Sequence, residues 1–145
     1  MRTIALRFAD NIAPQDGTIA EHERIIESQG FVWYGKFGSR ISEKARSAVM
    51  ASDCKRVLLI HSGTNKRYWL HVDEISYDTP ELHCIPEYYR ELAGTVKTWL
   101  KVTRIEKADK SVMAKCTVSS SGSPLSAVSR HSMSPYFIID YDEGV

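Results

Sequence analysis

The stretch RVLLIHSGTNKRYWLHVDEI, residues 56–75, decides the fold. Its first part, RVLLIHS from Arg56 to Ser62, carries an unbroken apolar centre, the pattern of a strand buried on both faces. Gly63 to Lys66 (GTNK) supplies a turn, and RYWLHVDEI returns as the partner strand, so the two predict a hairpin. A lone hairpin is marginal in water, which means that further strands and covering helices must bury its apolar faces.

Upstream, Thr3 to Ala9 reads as a first strand that ends in the loop DNIAPQDG. Thr18 and Glu21 have the spacing of a capping box, Ile19, His22, Ile25 and Ile26 share one helical face, and Gly30 is placed to end that helix. FVWYGKF, Phe31 to Phe37, is a second strand rich in aromatic residues. Ser39 is then a cap for a second helix, with Ile41, Ala45, Ala48 and Val49 as its apolar stripe and an end near Ser52. Downstream, PEYYREL reads as one helical turn and VKTWLKVTRI, Val96 to Ile105, as a long strand. KADK turns the chain into SVMAKCTVSS, a Ser/Gly loop follows, PLSAV is a short helix and PYFIIDY a last strand. These elements predict an α+β fold: a small, partly open β-barrel of about six strands with two to three helices packed around it, as one domain over residues 1–145.

The residues exclude more chemistry than they offer. GxSxG, HExxH, a Walker loop and a DxD pair are all missing, so enzymatic motifs give no support. Three cysteines (Cys54, Cys84, Cys116), odd in number and far apart, suggest neither a disulfide framework nor structural zinc, and no metal or cofactor is expected. Of five histidines (His22, His61, His71, His83, His131), His61 and His71 lie on the two hairpin strands and are candidates to meet in space. No apolar run is long enough to cross a bilayer and MRTIALRF lacks a signal-peptide core, so the expected location is cytoplasmic, without a membrane partner.

Charge is patterned although the formal net is only +1. Lys36 to Arg67 holds eight basic residues against two acids, a local balance of +6, which makes it a candidate footprint for a phosphate backbone. Val72 to Glu91 holds six acids against one base, a balance of −5, and is the candidate surface for a protein partner. Trp33, Tyr34, Tyr68, Trp69, Tyr88, Tyr89 and Trp99 fall in the stretch that includes the basic run, and such rings can stack on a flipped or single-stranded base. Trp69 and Trp99, mid-strand, read as core, whereas Trp33 stands near an element end where rings line cavities.

The order FVW, a polar-start helix, RVLLIHSG, a turn, RYWLHVDEI and VKTWLKVTRI resembles the YTH, EVE and related PUA-like domains, from Thr3 to about Tyr141. Such domains have a Trp after the first helix, a second helix, a strand ending in Ser and a strand of the xFxVxWI kind. The resemblance implies a small barrel that binds nucleic acid, DNA or RNA, by drawing one modified base into an aromatic cage. It makes Trp33 the first cage ring, Tyr34 the neighbour whose backbone meets the base edge, and Asp10 or Asn11 the contact to a ring nitrogen. Ser62 borders the pocket, and Tyr88, Tyr89 and Pro86 supply the remaining walls. Lys36, Arg40, Lys66 and Arg67, flanking that pocket, are the phosphate contacts. VTRI departs from the family pattern, with Arg104 in place of a Trp. Two alternatives stand beside this reading: a small RNA hydrolase like ASCH-type relatives, and an immunity or antitoxin module that docks through the acidic segment.

Overall fold

The computed structural model describes residues 1–132, 134 and 136–142, and not the side chain of His131. Seven strands form one mixed sheet: β1 (Arg2–Phe8), β2 (Val32–Lys36), β3 (Arg56–His61), β4 (Arg67–Ser76), β5 (Thr98–Lys107), β6 (Cys116–Val118) and β7 (Tyr136–Tyr141). Their spatial order is β2-β5-β4-β3-β1-β7-β6, with β1 and β3 parallel and every other pair antiparallel. Three helices accompany them: α1 (Gly17–Gln29), α2 (Glu43–Met50) and α3 (Leu125–His131). The expected hairpin is β3 and β4, paired from Arg56↔His71 to Ile60↔Arg67. The start of the predicted last strand, Pro135, lies outside the described residues.

Two expectations change. The sheet has seven strands rather than about six, and it does not close into a barrel, because its end strands β2 and β6 do not pair. The cause is local: β6 has three residues, and the outer edge of β2 is occupied by a side chain instead of a strand. The sheet nonetheless bends. Register shifts between His71 and Glu74 break the β4–β5 ladder, and a bulge of this kind increases curvature and twist. Bending brings β2 across from β1, so that Ile4, Leu6 and Phe8 share one core with Val32 and Tyr34.

That core lies on the inner face, where Val57, Leu59, Leu70, Leu100 and Val102 join it and Ile41, Ala45 and Val49 cover it. The outer face of β1, β3 and β7 is covered by a second cluster, with Leu58, Ile60, Trp69, Phe137 and Leu125. The central strand β3 is therefore buried on both sides, as its apolar run predicts. Trp69 and Trp99, 4% and 0% exposed, are core. No helix among the described residues is long and apolar enough to cross a membrane.

Helix starts differ from those the sequence predicts. Gly30 ends α1 in the left-handed region at φ 89°, as expected, but the Thr18 hydroxyl makes no cap. Asp10, eight residues upstream, instead accepts the Thr18 amide at 3.0 Å. The second helix begins after Ser42, whose Oγ accepts the Ala45 amide at 3.1 Å, so Ser39 is not its cap.

A 3₁₀ segment, Glu87–Thr95, kinked at Tyr89, packs Tyr89 over Trp99 with ring centroids 6.3 Å apart. Gly35 of β2 lies beneath both rings. A β-carbon there would stand 2.9 Å from the Trp99 ring and 3.2 Å from the Tyr89 ring, so this close approach requires glycine. Replacing Gly35 with Ala is expected to destabilise the fold by about 1–3 kcal/mol through overpacking. Chemical denaturation of the variant measures the loss, and an unchanged midpoint contradicts the packing described.

Candidate functional site

On the unclosed side of the bent sheet, between the C-terminal ends of β1 and β2, lies a cavity of about 440 Å³. This volume falls within the roughly 300–1,000 Å³ of small-molecule sites. Leu6 and Phe8 of β1, Tyr34 and Lys36 of β2, Thr18 and His22 of α1, and Tyr88 and Tyr89 of the 3₁₀ segment line it. Ile12, Phe37 and Leu92, three of the four exposed large hydrophobic residues among those described, stand among its lining as well, which gives the mouth an apolar rim.

The inner wall rests on one hydrogen-bond network. The His22 ring reaches the Thr18 carbonyl through Nδ1 at 2.7 Å and the Tyr89 hydroxyl through Nε2 at 2.8 Å. A carbonyl only accepts, so Nδ1 carries the proton. Burial pushes the imidazole pKa down to about 4 against the Thr18 hydrogen bond, so the ring is neutral and Nε2 accepts from Tyr89. The Tyr89 oxygen in turn accepts the Gly35 amide at 3.2 Å. Tyr89 is 2% exposed, and burial holds its hydroxyl well above the ordinary tyrosine range.

Asp10 closes the base of the loop between β1 and α1. Its Oδ1 takes the Thr18 amide, and its Oδ2 takes His61 Nε2 at 2.7 Å. His61 Nδ1 is 2.8 Å from the Thr64 hydroxyl in the hairpin turn. Burial alone raises the Asp10 carboxyl pKa, but the hydrogen bonds of Thr18 and His61 outweigh it and hold the carboxyl below its usual range. One carboxylate thus ties α1 and the hairpin turn to the end of β1.

The expected site residues distribute unevenly. Tyr34, Tyr88, Tyr89, Asn11 and Lys36 all line the cavity. Trp33 does not: consecutive strand residues face opposite sides, and it is half-buried on the outer face of β2, packed against the cluster that contains Ile85, Tyr89 and Trp99. Pro86 is buried at the start of the 3₁₀ segment and is no wall either. Asp10 spends both carboxylate oxygens on Thr18 and His61 rather than on a base. Ser62 is exposed, its amide donates to the Phe8 carbonyl, and it is outside the lining.

The expected phosphate contacts divide as well. Lys36 is 5% exposed, and its Nζ donates to the carbonyls of Phe37 at 3.2 Å and Ser39 at 2.6 Å. Burial lowers its pKa, and it makes no carboxylate pair among the described residues. Arg67 folds back onto the carbonyls of Thr64 and Lys66, at 2.9 and 2.8 Å. Arg40 and Lys66 remain exposed, and Arg40 lies 4.3 Å over the Tyr77 ring, which it shares with Arg46 at 4.9 Å.

Other candidates fall away. His71 faces Arg56 at one end of the hairpin while His61 is at the other, so the two do not meet. His71 binds Glu106 at 3.0 Å instead. Beside the exposed His83, the Cys84 thiol is buried and its pKa is pushed up, the wrong direction for a nucleophile.

Sequence reasoning overlooked His22, which read as one more residue on an apolar helix face. The rim of Ile12, Phe37 and Leu92 gave no signal beyond being apolar in loops.

A family model described as Pua-like matches residues 4–143 of the chain. No curated protein and no solved structure matches it.

The neutral His22 ring sets a pH dependence. An unfolded imidazole titrates near about 6.5 and this one at about 4, so its contribution is complete above about pH 6.5. Stability is expected to fall as pH drops from there to about 4. Replacing His22 with Gln, which keeps an acceptor for Tyr89 but does not titrate, is expected to flatten the slope in that window. Denaturant midpoints across the window decide it: the same slope in both proteins contradicts the buried neutral ring.

Proposed function

The chain belongs to the Pua-like family, and from that membership and the cavity between β1 and β2 we propose that it is an RNA-binding domain. In this reading it acts as one unit over residues 1–145 and seats a single base, drawn out of a loop or single strand, in the cavity. Domains of this family commonly bind RNA. The observation that carries the finer reading is the wall itself: the aromatic rings of Tyr34, Phe37, Tyr88 and Tyr89 around a space of about 440 Å³. Base stacking on such rings contributes about 1–3 kcal/mol per base.

Trp33 takes no part in this version of the cage, because it lies on the other side of β2. A methyl group on the seated base would meet apolar wall rather than water and strengthen binding about tenfold. The phosphates fall to Arg40 and Lys66, whose side chains are exposed. Glu87 and Glu91, exposed on the 3₁₀ segment next to Tyr88 and Leu92, repel a backbone from that side. The strand therefore crosses the mouth away from the acidic segment.

Tyr88 is the wall residue to test, since it is only half-buried and lies outside the His22 and Tyr89 network. Single-stranded RNA, with and without a methylated base, is titrated against wild type and Tyr88→Ala by fluorescence anisotropy. Tyr88→Ala is expected to bind about tenfold more weakly or worse, with its melting temperature reported alongside. Equal affinity in a folded Tyr88→Ala protein removes the base from the cavity.

A further inference from the structure

One polar group in the cavity wall has no partner. Tyr34 is 6% exposed and its ring is part of the inner core, yet its hydroxyl forms no hydrogen bond with any described residue. Nor is the oxygen sealed from solvent among the unpartnered buried atoms. What exposure it keeps opens into the cavity that Tyr34 lines. The polar side chains around it are occupied. His22 uses both ring nitrogens, the Tyr89 hydroxyl donates to His22 and accepts from Gly35, and Tyr88 bonds to Thr18. The Lys36 ammonium is held by the carbonyls of Phe37 and Ser39. A phenylalanine in place of Tyr34 would bury the same ring beside Val32 and Leu6 without desolvating an oxygen. The fold therefore gains nothing from this hydroxyl, and its use lies in the cavity.

We infer that the Tyr34 hydroxyl supplies the hydrogen bond that anchors the seated ring by its edge, so that the site favours a polar heterocycle over an apolar ring of the same shape. Burial, with Tyr88 and Asp10 nearby, raises the Tyr34 pKa, so the phenol keeps its proton. A protonated phenol both donates and accepts. It can therefore bond a ring carbonyl, a ring nitrogen or an amino group, and it serves the edge of any of the four bases without choosing among them. It cannot serve an edge made of carbon and hydrogen. Such a ring strips the hydroxyl of solvent and leaves it unpaired against an apolar wall, which costs about as much as a lost hydrogen bond. The aromatic rings of Phe37, Tyr88 and Tyr89 hold any flat molecule, and the one free hydroxyl distinguishes a nucleobase from a plain aromatic ring.

This role rests on the RNA-binding reading above, and the test separates the two. Short single-stranded RNAs that differ only at one central position are titrated against wild type and Tyr34→Phe. That position carries uracil or its apolar isostere 2,4-difluorotoluene, and adenine or its apolar isostere 4-methylindole. Tyr34→Phe is expected to weaken the tighter-binding natural RNA about fivefold to tenfold, the worth of roughly one net hydrogen bond. The matching isostere is expected to bind the variant as well as it binds wild type, or better. Free Tyr34→Phe is expected to melt at or above the wild-type temperature, since no bond within the protein is lost. An equal change for base and isostere, or no change for either, overturns the anchoring role and leaves RNA binding intact. A variant that melts lower or fails to fold reveals a partner for the hydroxyl inside the protein and overturns the role as well. No binding of any RNA by wild type overturns both readings.

Discussion

One hydroxyl group, that of Tyr89, holds the candidate site together. An edge strand presents unpaired amides and carbonyls, and β2 is such an edge. Gly35 points its amide away from β5, and the Tyr89 oxygen receives it where a strand partner would otherwise stand. The same hydroxyl gives its proton to His22, so β2, α1 and the 3₁₀ segment meet at one atom. The 3₁₀ segment, kinked at Tyr89, is tied to the sheet by this contact and by the stacking over Trp99. The pairing also stops the sheet from closing, and the cavity occupies the space left unclosed.

How much of this was legible depended on whether the cause was local. The double burial of β3, the β3–β4 hairpin and the Gly30 stop follow from residues adjacent in the chain, and the sequence showed them. Both misread helix starts have causes of another kind. Thr18 looked like a cap because of its spacing to Glu21, but Asp10 on the preceding loop reaches the helix first. Ser42 stands closer to the apolar stripe of α2 than Ser39 and leaves Ile41 free to enter the core at 0% exposure.

Trp33 shows the limit most sharply. Within a strand, the face a side chain takes is a question of parity, and one position decides it. Tyr34 shares the inner face with Val32, which leaves Trp33 on the outer one beneath the 3₁₀ segment. Nothing in the run FVWYGKF distinguishes the two ring positions without knowledge of what covers each face. The basic run misled for a similar reason. Lys36 and Arg67 count as positive charges in the sequence, yet in the fold both are spent on backbone carbonyls. A charge tally does not tell a surface cation from an internal staple.

The far wall of the cavity is a 3₁₀ segment and not a neighbouring strand, and this has a consequence for how such a protein diversifies. The spacing of hydrogen-bonded strands is nearly invariant, so a pocket framed by them changes size only when the whole ladder shifts. Here Tyr88 and Leu92 project from a stretch that no ladder constrains. Exchanges at these two positions reshape the opening while the sheet stays as it is, so descendants of one ancestral scaffold can part ways in what they admit without re-solving how to fold.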